Sequence, residues 1–516
     1  MKKFYISTPI YYSSGKPHIG HAYTTILADV ISRYKKIIGY DTFFITGMDE
    51  HGQKIETIAK RENISCQELV DKNSLIFEKL WKDLQVEPNF FIRTTNEKHK
   101  KFVQEKFSTL YSKKFIYLDN WVSLYCIQCE EDIVDKKVVI KDDKKYCEHG
   151  HEIISRSEES YFLKTTEFKE WIINVLDNQE IVIDPTSRVL ELKNNFLNDE
   201  FRDLSISRNN LNWGVEIKED KNHKIYVWLD ALLNYISGLS ICNDSFVDKY
   251  WNDDKTEIVH LLSKEITRFH CIYWPIILKM LNYRLPSKII SHGWIITSQG
   301  KMSKSIGNVV DPFELINKFG SDSIRYYLMK EISMINDSTF SEDLLVTTHN
   351  ADLCNNFGNI INRTLGLINK YSNETIPKYS RTENNDLVSF ENTIIDFTSK
   401  IEKTINTLDV NLIVKEINIL ENNINSFIEI NKPWNLFKEN KIDDLMYFLS
   451  LLSNSVKILI FYISPILVSK SKEAWEQFGF PKDLFTIIEI NKFDSIDNIK
   501  VNNSKILFER IEKNEN

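Results

Sequence analysis

The order in which strand-like and helix-like runs follow one another restricts this chain most. Over residues 1–115, β-rich runs such as "FYIST" and "TFFITG" alternate with runs of helical periodicity, "KIETIAKRENIS" and "SLIFEKLWKDL". Such alternation predicts a parallel sheet whose strands are joined by crossover helices. Residues 116–222 break the pattern with shorter β-like runs and a cysteine–histidine cluster. Over 223–290 it returns, in "KIYVWLDALLNYISGL", "EIVHLL" and "KIISHGWII". One sheet interrupted by an inserted module accounts for this better than three separate domains. Residues 291–345 carry a Gly- and Ser-containing loop, and 346–516 turn helical. There Phe397, Ile401, Ile405 and Leu408 form one apolar stripe, and Ile413, Ile417, Leu420, Ile424 and Phe427 another, at spacings of three and four. The predicted class is α/β with an all-α C-terminal bundle. The end, "NNSKILFERIEKNEN", reads as a closing strand with a frayed tail.

Composition excludes several alternatives. At 516 residues the chain exceeds one ordinary core. Its 65 basic against 73 acidic side chains, a net −8, argue against broad nonspecific nucleic-acid binding but leave room for a local basic face on one folded RNA. Seven cysteines are too few for a disulfide scaffold, and three of them cluster, which points to a reduced, cytoplasmic protein with a metal knuckle. No signal peptide is evident at the start. The greasiest stretch, "VKILIFYISPILV", is broken by Lys457, Ser464 and Pro465 and falls short of the ~18 apolar residues of a membrane span.

Two short motifs carry chemistry. "HIGH", residues 18–21, falls in the turn between the first strand and a helix in which Ile26, Val30, Tyr34 and Ile37 recur at helical spacing. Imidazoles there can donate to phosphate oxygens, a helix start offers N–H groups to an anion, and Gly20 lets a flat base approach the backbone. "GKMSKSIGNVVDP", residues 300–312, places Lys301 and Lys304 three apart in a loop, which suits a departing polyphosphate whose charge grows in the transition state. Either motif alone has an ordinary reading, as a capped helix or a solvated loop. Together in one chain they are far more specific.

With these motifs the sequence resembles the class I aminoacyl-tRNA synthetases, and within them the methionyl-tRNA synthetase family. The likeness runs through "STPIYYSSGKPHIGHAYTTILAD", "FITGMDEHGQKIE", "YVWLDALLNY", "EITRFHCIYWP", "HGWIITSQGKMSKSIGNVVDP", "DLCNNFGNIINR" and "NKPW" in order. The resemblance implies a Rossmann-type catalytic domain, an inserted zinc-knuckle connective module, a stem-contact region around 291–345 and an anticodon-binding helical bundle. It implies ligation of methionine to its tRNA through methionyl-adenylate, with Mg²⁺ accompanying ATP. His18, Gly20, His21, Lys301, Ser303 and Lys304 are then expected at ATP, the histidines and lysines being catalytic. Pro9, Ile10, Tyr12, Trp228, Ala231, Leu232, Tyr235, Ile266, His270 and Trp274 would wall the methionine thioether, with Asp49 on its ammonium. Asn359, Arg363 and Trp434 would face the CAU anticodon of initiator and elongator methionine tRNAs.

Two departures stand out. The knuckle "YCIQCEEDIVDKKVVIKDDKKYCEHGHE" closes with Cys147-x-His149 where zinc-bearing relatives close with Cys-x2-Cys or Cys-x2-His. Cys126, Cys129, Cys147 and His149 are the expected ligands of one structural Zn²⁺, with His151 the alternative. "SKEITRFH" stands where relatives usually begin Gly-Lys-Asp, so Ser263 and Glu265 could shift ribose and adenine contacts. No oligonucleotide-binding barrel follows the bundle, so a monomer is expected. Synthetases for leucine, isoleucine and valine carry an editing insertion too large for residues 116–222. A noncatalytic RNA-binding paralogue would be expected to lose a signature histidine or lysine, and here all are intact.

Overall fold

A computed structural model describes residues 1–129, 131–133, 138–142, 144–302 and 307–512. Six parallel strands form the central sheet, in the order Phe90–Arg93, Asp41–Asp49, Lys3–Tyr12, Thr256–Ser263, Lys288–His292 and Val182–Asp184. Both faces are covered, so the central strand is buried continuously from Phe4 to Thr8 rather than alternating. Its neighbours are the next strand in sequence on one side and a strand from beyond the insertion on the other. The chain therefore changes direction of travel across the sheet at the carboxyl end of Lys3–Tyr12, where ligands bind in folds of this kind.

The inserted region builds a second, four-stranded sheet, ordered Leu204–Ser205, Ile154–Leu163, Ile116–Cys126 and Glu131–Ile133, with the cysteine cluster at one end. Val182–Asp184 lies within the segment read as insertion, yet it supplies the edge strand of the catalytic sheet. Three residues are too few to show a strand period, so the sequence pattern hides this return.

The C-terminal region is helical: Asn359–Tyr371, Asn385–Thr407, Val410–Asn431 and Ile442–Ile463 carry it. The last is long and apolar enough to cross a membrane, but 94% of its most apolar window is buried inside the protein. It is the core helix of the bundle. Both predicted apolar stripes are buried on their helices, and Leu408 ends the first as a left-handed cap. The expected closing strand does not form. Its backbone goes instead to helices, as where the Glu509 carbonyl faces His349 Nε2 at 2.9 Å, so no ladder arises over 502–512; 513–516 lie outside the described residues.

Arg325 ties the bundle to the helices packed on the sheet. Its buried guanidinium donates to Asp29 Oδ2 at 2.6 Å and to the carbonyls of Pro465, Ile466 and Leu84 at 2.7, 2.9 and 3.1 Å. Asp29 lies on Ile19–Ile37, the helix that begins in "HIGH". A charge buried this deeply is tolerable only when so fully bonded.

Candidate active site

The central strand ends at Tyr12, paired with Asp49, and the chain turns through residues 13–17 into the helix Ile19–Ile37. His18 is its N-cap. The Gly20 N–H donates to His18 Nδ1 at 3.1 Å, and the His18 N–H donates to His21 Nδ1 at 3.0 Å. The rings lie 3.8 Å apart, centre to centre. Each Nδ1 is thereby an acceptor, so each neutral ring carries its proton on Nε2 and offers N–H from that end. The sequence predicted unpaired backbone N–H groups at this turn. The structure caps them differently: Ile19 N–H donates to the Val310 carbonyl at 3.1 Å and His21 N–H to the His18 carbonyl at 2.9 Å. Anion binding here falls to the imidazoles more than to the backbone.

The second motif comes to the same place. Ile295–Thr297 and Gly300–Lys301 form a small hairpin, with Gly300 in the left-handed region at φ 94°. A Cβ built on Gly20 would lie 4.0 Å from Met302 Cε. Val310, after the loop, caps Ile19 as above. Asn308 Nδ2 donates back to the Lys301 carbonyl at 3.2 Å, closing the base of the loop. Ser303 and Lys304 lie outside the described residues. Lys301 Nζ pairs with Glu265 Oε1 at 2.7 Å and stands 4.1 Å from the centre of the Trp294 ring. Lys264 Nζ is 4.0 Å from the same ring and 2.7 Å from Asp337. Glu265, noted only as a departure, is thus the partner of the first signature lysine.

Beside this cleft, the residues predicted to wall an apolar side chain form a bonded group. Trp228 stacks on Phe269, with centroids 3.4 Å apart and planes 7° off parallel. Tyr235 Oη and His270 Nε2 are 2.7 Å apart, and His270 Nδ1 is 3.0 Å from the Ile266 carbonyl. A carbonyl accepts only, so His270 carries its proton on Nδ1 and accepts from the tyrosine. Burial pushes this imidazole down to about 4, so it is neutral at physiological pH. Trp274 donates from Nε1 to His260 Nε2 at 3.1 Å, and His260 is 2.6 Å from Ser7 on the central strand. Ala231 and Leu232 are buried, while Pro9 and Ile10 are half-buried at a register shift between the first two strands. Such shifts re-aim side chains near sites. Asp49 is 8% exposed. Phe269 and His260 were missed. Phe269 adjoins a predicted residue, but His260 sits inside an apolar strand with nothing to mark it.

In the inserted sheet, the Sγ atoms of Cys126 and Cys129 each lie 3.8 Å from that of Cys147. His151 Nδ1 lies 3.9, 3.3 and 3.6 Å from Cys126, Cys129 and Cys147. A tetrahedron with Zn–S near 2.3 Å and Zn–N near 2.05 Å has S···S edges of about 3.8 Å and S···N edges of about 3.6 Å, so this donor set fits zinc. The imidazole that gathers with the three thiols is that of His151, the alternative weighed beside His149. The reason is the turn: Cys147 N–H donates to the His151 carbonyl at 2.9 Å and Gly150 is left-handed at φ 78°. The fourth residue after Cys147 folds back, leaving His149 exposed with its Nδ1 3.6 Å from Cys129 Sγ.

In the helical region, Asn359 and Arg363 stand one turn apart on Asn359–Tyr371, and Arg363 pairs with Glu429 at 2.6 Å. Glu429 is near the end of the helix that leads to half-buried Trp434, at the start of Pro433–Lys438. The three predicted anticodon residues thus share one end of the bundle.

The family model for class I tRNA synthetases (M) matches residues 4–365. The chain belongs to this family. The methionine–tRNA ligase of Ureaplasma parvum is 48% identical over 99% of this chain and 98% of its own length, and that of Mycoplasma genitalium is 40% identical over 99% and 100%. The Mycobacterium tuberculosis methionyl-tRNA synthetase in complex with methionyl-adenylate superimposes with a TM-score of 0.91 at 28% identity, covering 99% of this chain and 100% of that one. Its free form gives 0.85 at 26% identity, with 99% of each chain covered. The α/β fold with its helical C-terminal region is that of class I synthetases, and the reaction is the ATP-dependent ligation of methionine to tRNA.

Proposed function

We propose that the cleft between the "HIGH" turn and the "KMSKS" loop holds ATP, and that the wall around Tyr235 and His270 holds methionine. The bond from the Ile19 N–H to the Val310 carbonyl at 3.1 Å, with Met302 close by, carries this reading, because it sets the two motifs side by side. His18 and His21 donate Nε2–H to the phosphates, Gly20 lies under the adenine, and Asp49 takes the ammonium. The methionine carboxylate attacks the α-phosphorus, and the bond to the bridging oxygen breaks with release of pyrophosphate. Lys301, Ser303 and Lys304 stabilise the charge that collects on it. A terminal ribose hydroxyl of the tRNA then attacks the acyl carbon, and AMP leaves. The protein contributes position and charge and forms no covalent bond to substrate. Mg²⁺ enters with ATP.

A neutral imidazole bonded to Tyr235 and lined by aromatic rings suits a polarisable thioether. An apolar wall distinguishes one methylene by about 10–200-fold, which makes norleucine and homocysteine the hard competitors. Cys126, Cys129, Cys147 and His151 would hold one structural Zn²⁺ that braces the inserted module. Asn359, Arg363 and Trp434 would read the CAU anticodon of initiator and elongator tRNAs. We read the enzyme as a cytoplasmic monomer of catalytic (1–115 and 223–290), connective (116–222), loop and stem-contact (291–345) and anticodon-binding (346–516) parts. Free cysteines throughout the described residues support a reduced compartment. Methionine-dependent exchange of labelled pyrophosphate into ATP tests the first step. Exchange is expected without tRNA, and its absence in folded protein that still binds tRNA would favour a noncatalytic RNA-binding role.

A further inference from the structure

We infer that Asp230 is a positioning residue for methionine binding, anchoring the back of the pocket helix to which it belongs and fixing that helix against the strand end that carries Asp49. The inference rests on the methionine-binding assignment proposed above. Along Val227–Cys242, Trp228, Leu232 and Tyr235 follow at spacings of four and three and share the face toward the pocket. Asp230, Asn234 and Ser237 repeat the same spacings about half a turn away, on the opposite face. Asp230 is fully buried, and each carboxylate oxygen meets a different imidazole: Oδ2 lies 2.7 Å from His51 Nδ1, and Oδ1 lies 2.8 Å from His99 Nε2. His99 Nδ1 continues to Ser237 Oγ at 2.7 Å, returning to the same helix.

Three elements meet at this carboxylate. His51 is two residues beyond Asp49, at the carboxyl end of Asp41–Asp49, and His99 is on the helix Glu97–Ser112. The strand end is held on its other flank as well: Glu50 N–H donates to Thr94 Oγ1 at 3.0 Å, and its carboxylate pairs with Arg93 at 2.7 Å. About two turns further along the same helix, a Cβ on Gly238 would come within 2.2 Å of Ile45 Cδ1, so the helix lies directly on the strand. Alone, burial would push the Asp230 carboxyl up, but the His51 and His99 rings bring it down to about 2, so the carboxylate is charged. A buried charge is a poor way to gain stability, since well-packed apolar side chains often serve as well. Two fixed acceptors aimed at two ring N–H groups instead set an angle and a distance. Here those are the angle and distance between the ammonium site and the side-chain wall.

The test compares Asp230→Asn with Asp49→Asn and wild type in pyrophosphate exchange and thermal melting. Asparagine keeps the size but offers one acceptor, so one ring loses its partner. The expected result is a roughly tenfold rise in methionine KM, with ATP KM and kcat within about twofold and the melting temperature within a few degrees. Should Asp230→Asn not fold, His51→Ala and His51→Asn decide: the first raises methionine KM, and the second, whose amide can donate where Nδ1 does, restores it. A folded Asp230→Asn with unchanged methionine KM, beside an impaired Asp49→Asn, overturns the inference. Equal rises in both KM values, or failure of His51→Asn to rescue, also overturn it by showing a general structural role. If Asp49→Asn leaves methionine KM unchanged, the pocket assignment falls and the inference with it.

Discussion

Gly20→Ala separates catalytic geometry from stability at the nucleotide turn. A Cβ on Gly20 would sit 2.9 Å from His18 Cε1 and 3.0 Å from His18 Nδ1. Ordinary contact begins near 3.4 Å, so the ring must retreat by about 0.5 Å, the difference between 3.4 and 2.9. That retreat strains the Gly20 N–H to Nδ1 bond, a cap worth about 1 kcal/mol. Alanine in place of glycine near a helix start returns about the same amount through backbone entropy. The two nearly cancel, and the melting temperature should move by no more than ~4 °C. Catalysis has no such offset. His18 and His21 are coupled through the His18 N–H to His21 Nδ1 bond and by rings 3.8 Å apart, so displacing one displaces both donors. A misplacement of ~1 Å costs on the order of 10²-fold, so half that should cost about tenfold in kcat/KM for ATP. Met302 Cε, at 4.0 Å, needs no adjustment, and methionine KM should be unaffected. Pyrophosphate exchange with ATP and methionine varied separately, alongside a melting curve, gives all three numbers. An unchanged kcat/KM for ATP in the folded variant would refute the assignment of these rings to the phosphates. A fall matched by a collapse in melting temperature would show that the turn matters only to folding.

Other perturbations address single groups. Lys304→Ala should slow adenylate formation by ~10²–10³-fold in single turnover, the effect of losing one transition-state donor; near-normal activation would remove its role. His151→Ala should lower zinc content by elemental analysis and destabilise the inserted module, whereas His149→Ala should retain the metal, and the opposite pattern would put the fourth ligand back at His149. Lys457 gives a pH dependence. Its Nζ is buried against the Lys492 carbonyl at 2.7 Å and Ser495 Oγ at 2.9 Å, and burial brings it down to about 7 from 10.5. The unfolded chain therefore binds more protons between about pH 7 and 10.5, so the cost of charging Lys457 is full below 7 and is relieved as pH rises. Denaturant titrations should show the stability advantage of Lys457→Met over wild type shrinking across that window, by up to ~1.4 kcal/mol per unit; a constant difference would mean the ammonium is not desolvated.

What was legible in the sequence was whatever short-range pattern encodes. Strand–helix alternation gave the parallel sheet, spacings of three and four gave the buried stripes of the bundle, and two contiguous motifs marked the turn and the loop that lie side by side. Legibility failed where a residue's meaning depends on a distant partner. Asp230 looks like one more residue of a buried helix until His51 and His99, 179 and 131 positions away, are brought to its two oxygens. Glu265 is a mild departure until Lys301 pairs with it. His149 and His151 are separated only by how Gly150 turns the chain. Val182–Asp184 is too short to announce itself as part of a sheet whose other strands all lie on either side of the insertion.

These failures have a common physical cause. Class I chemistry here leaves little for any one side chain to do alone; the work lies in holding charges at fixed separations while substrates come and go. Separation is a property of packing between elements, and several devices set it: the Arg325 guanidinium bonded to Asp29 on the "HIGH" helix, the Asp230 carboxylate on the back of the helix Val227–Cys242, and the Lys301–Glu265 pair beside Trp294. Two are buried and one is half exposed, a difference with consequences. Arg325 and Asp230 cannot be exchanged for a weaker partner without leaving a desolvated charge, so they act as fixed points. The Lys301–Glu265 pair, with both side chains 46% exposed, is screened and costs little to break. The hairpin that carries Lys301 is therefore held by the weakest of the three, while the helices Ile19–Ile37 and Val227–Cys242 are held by the strongest.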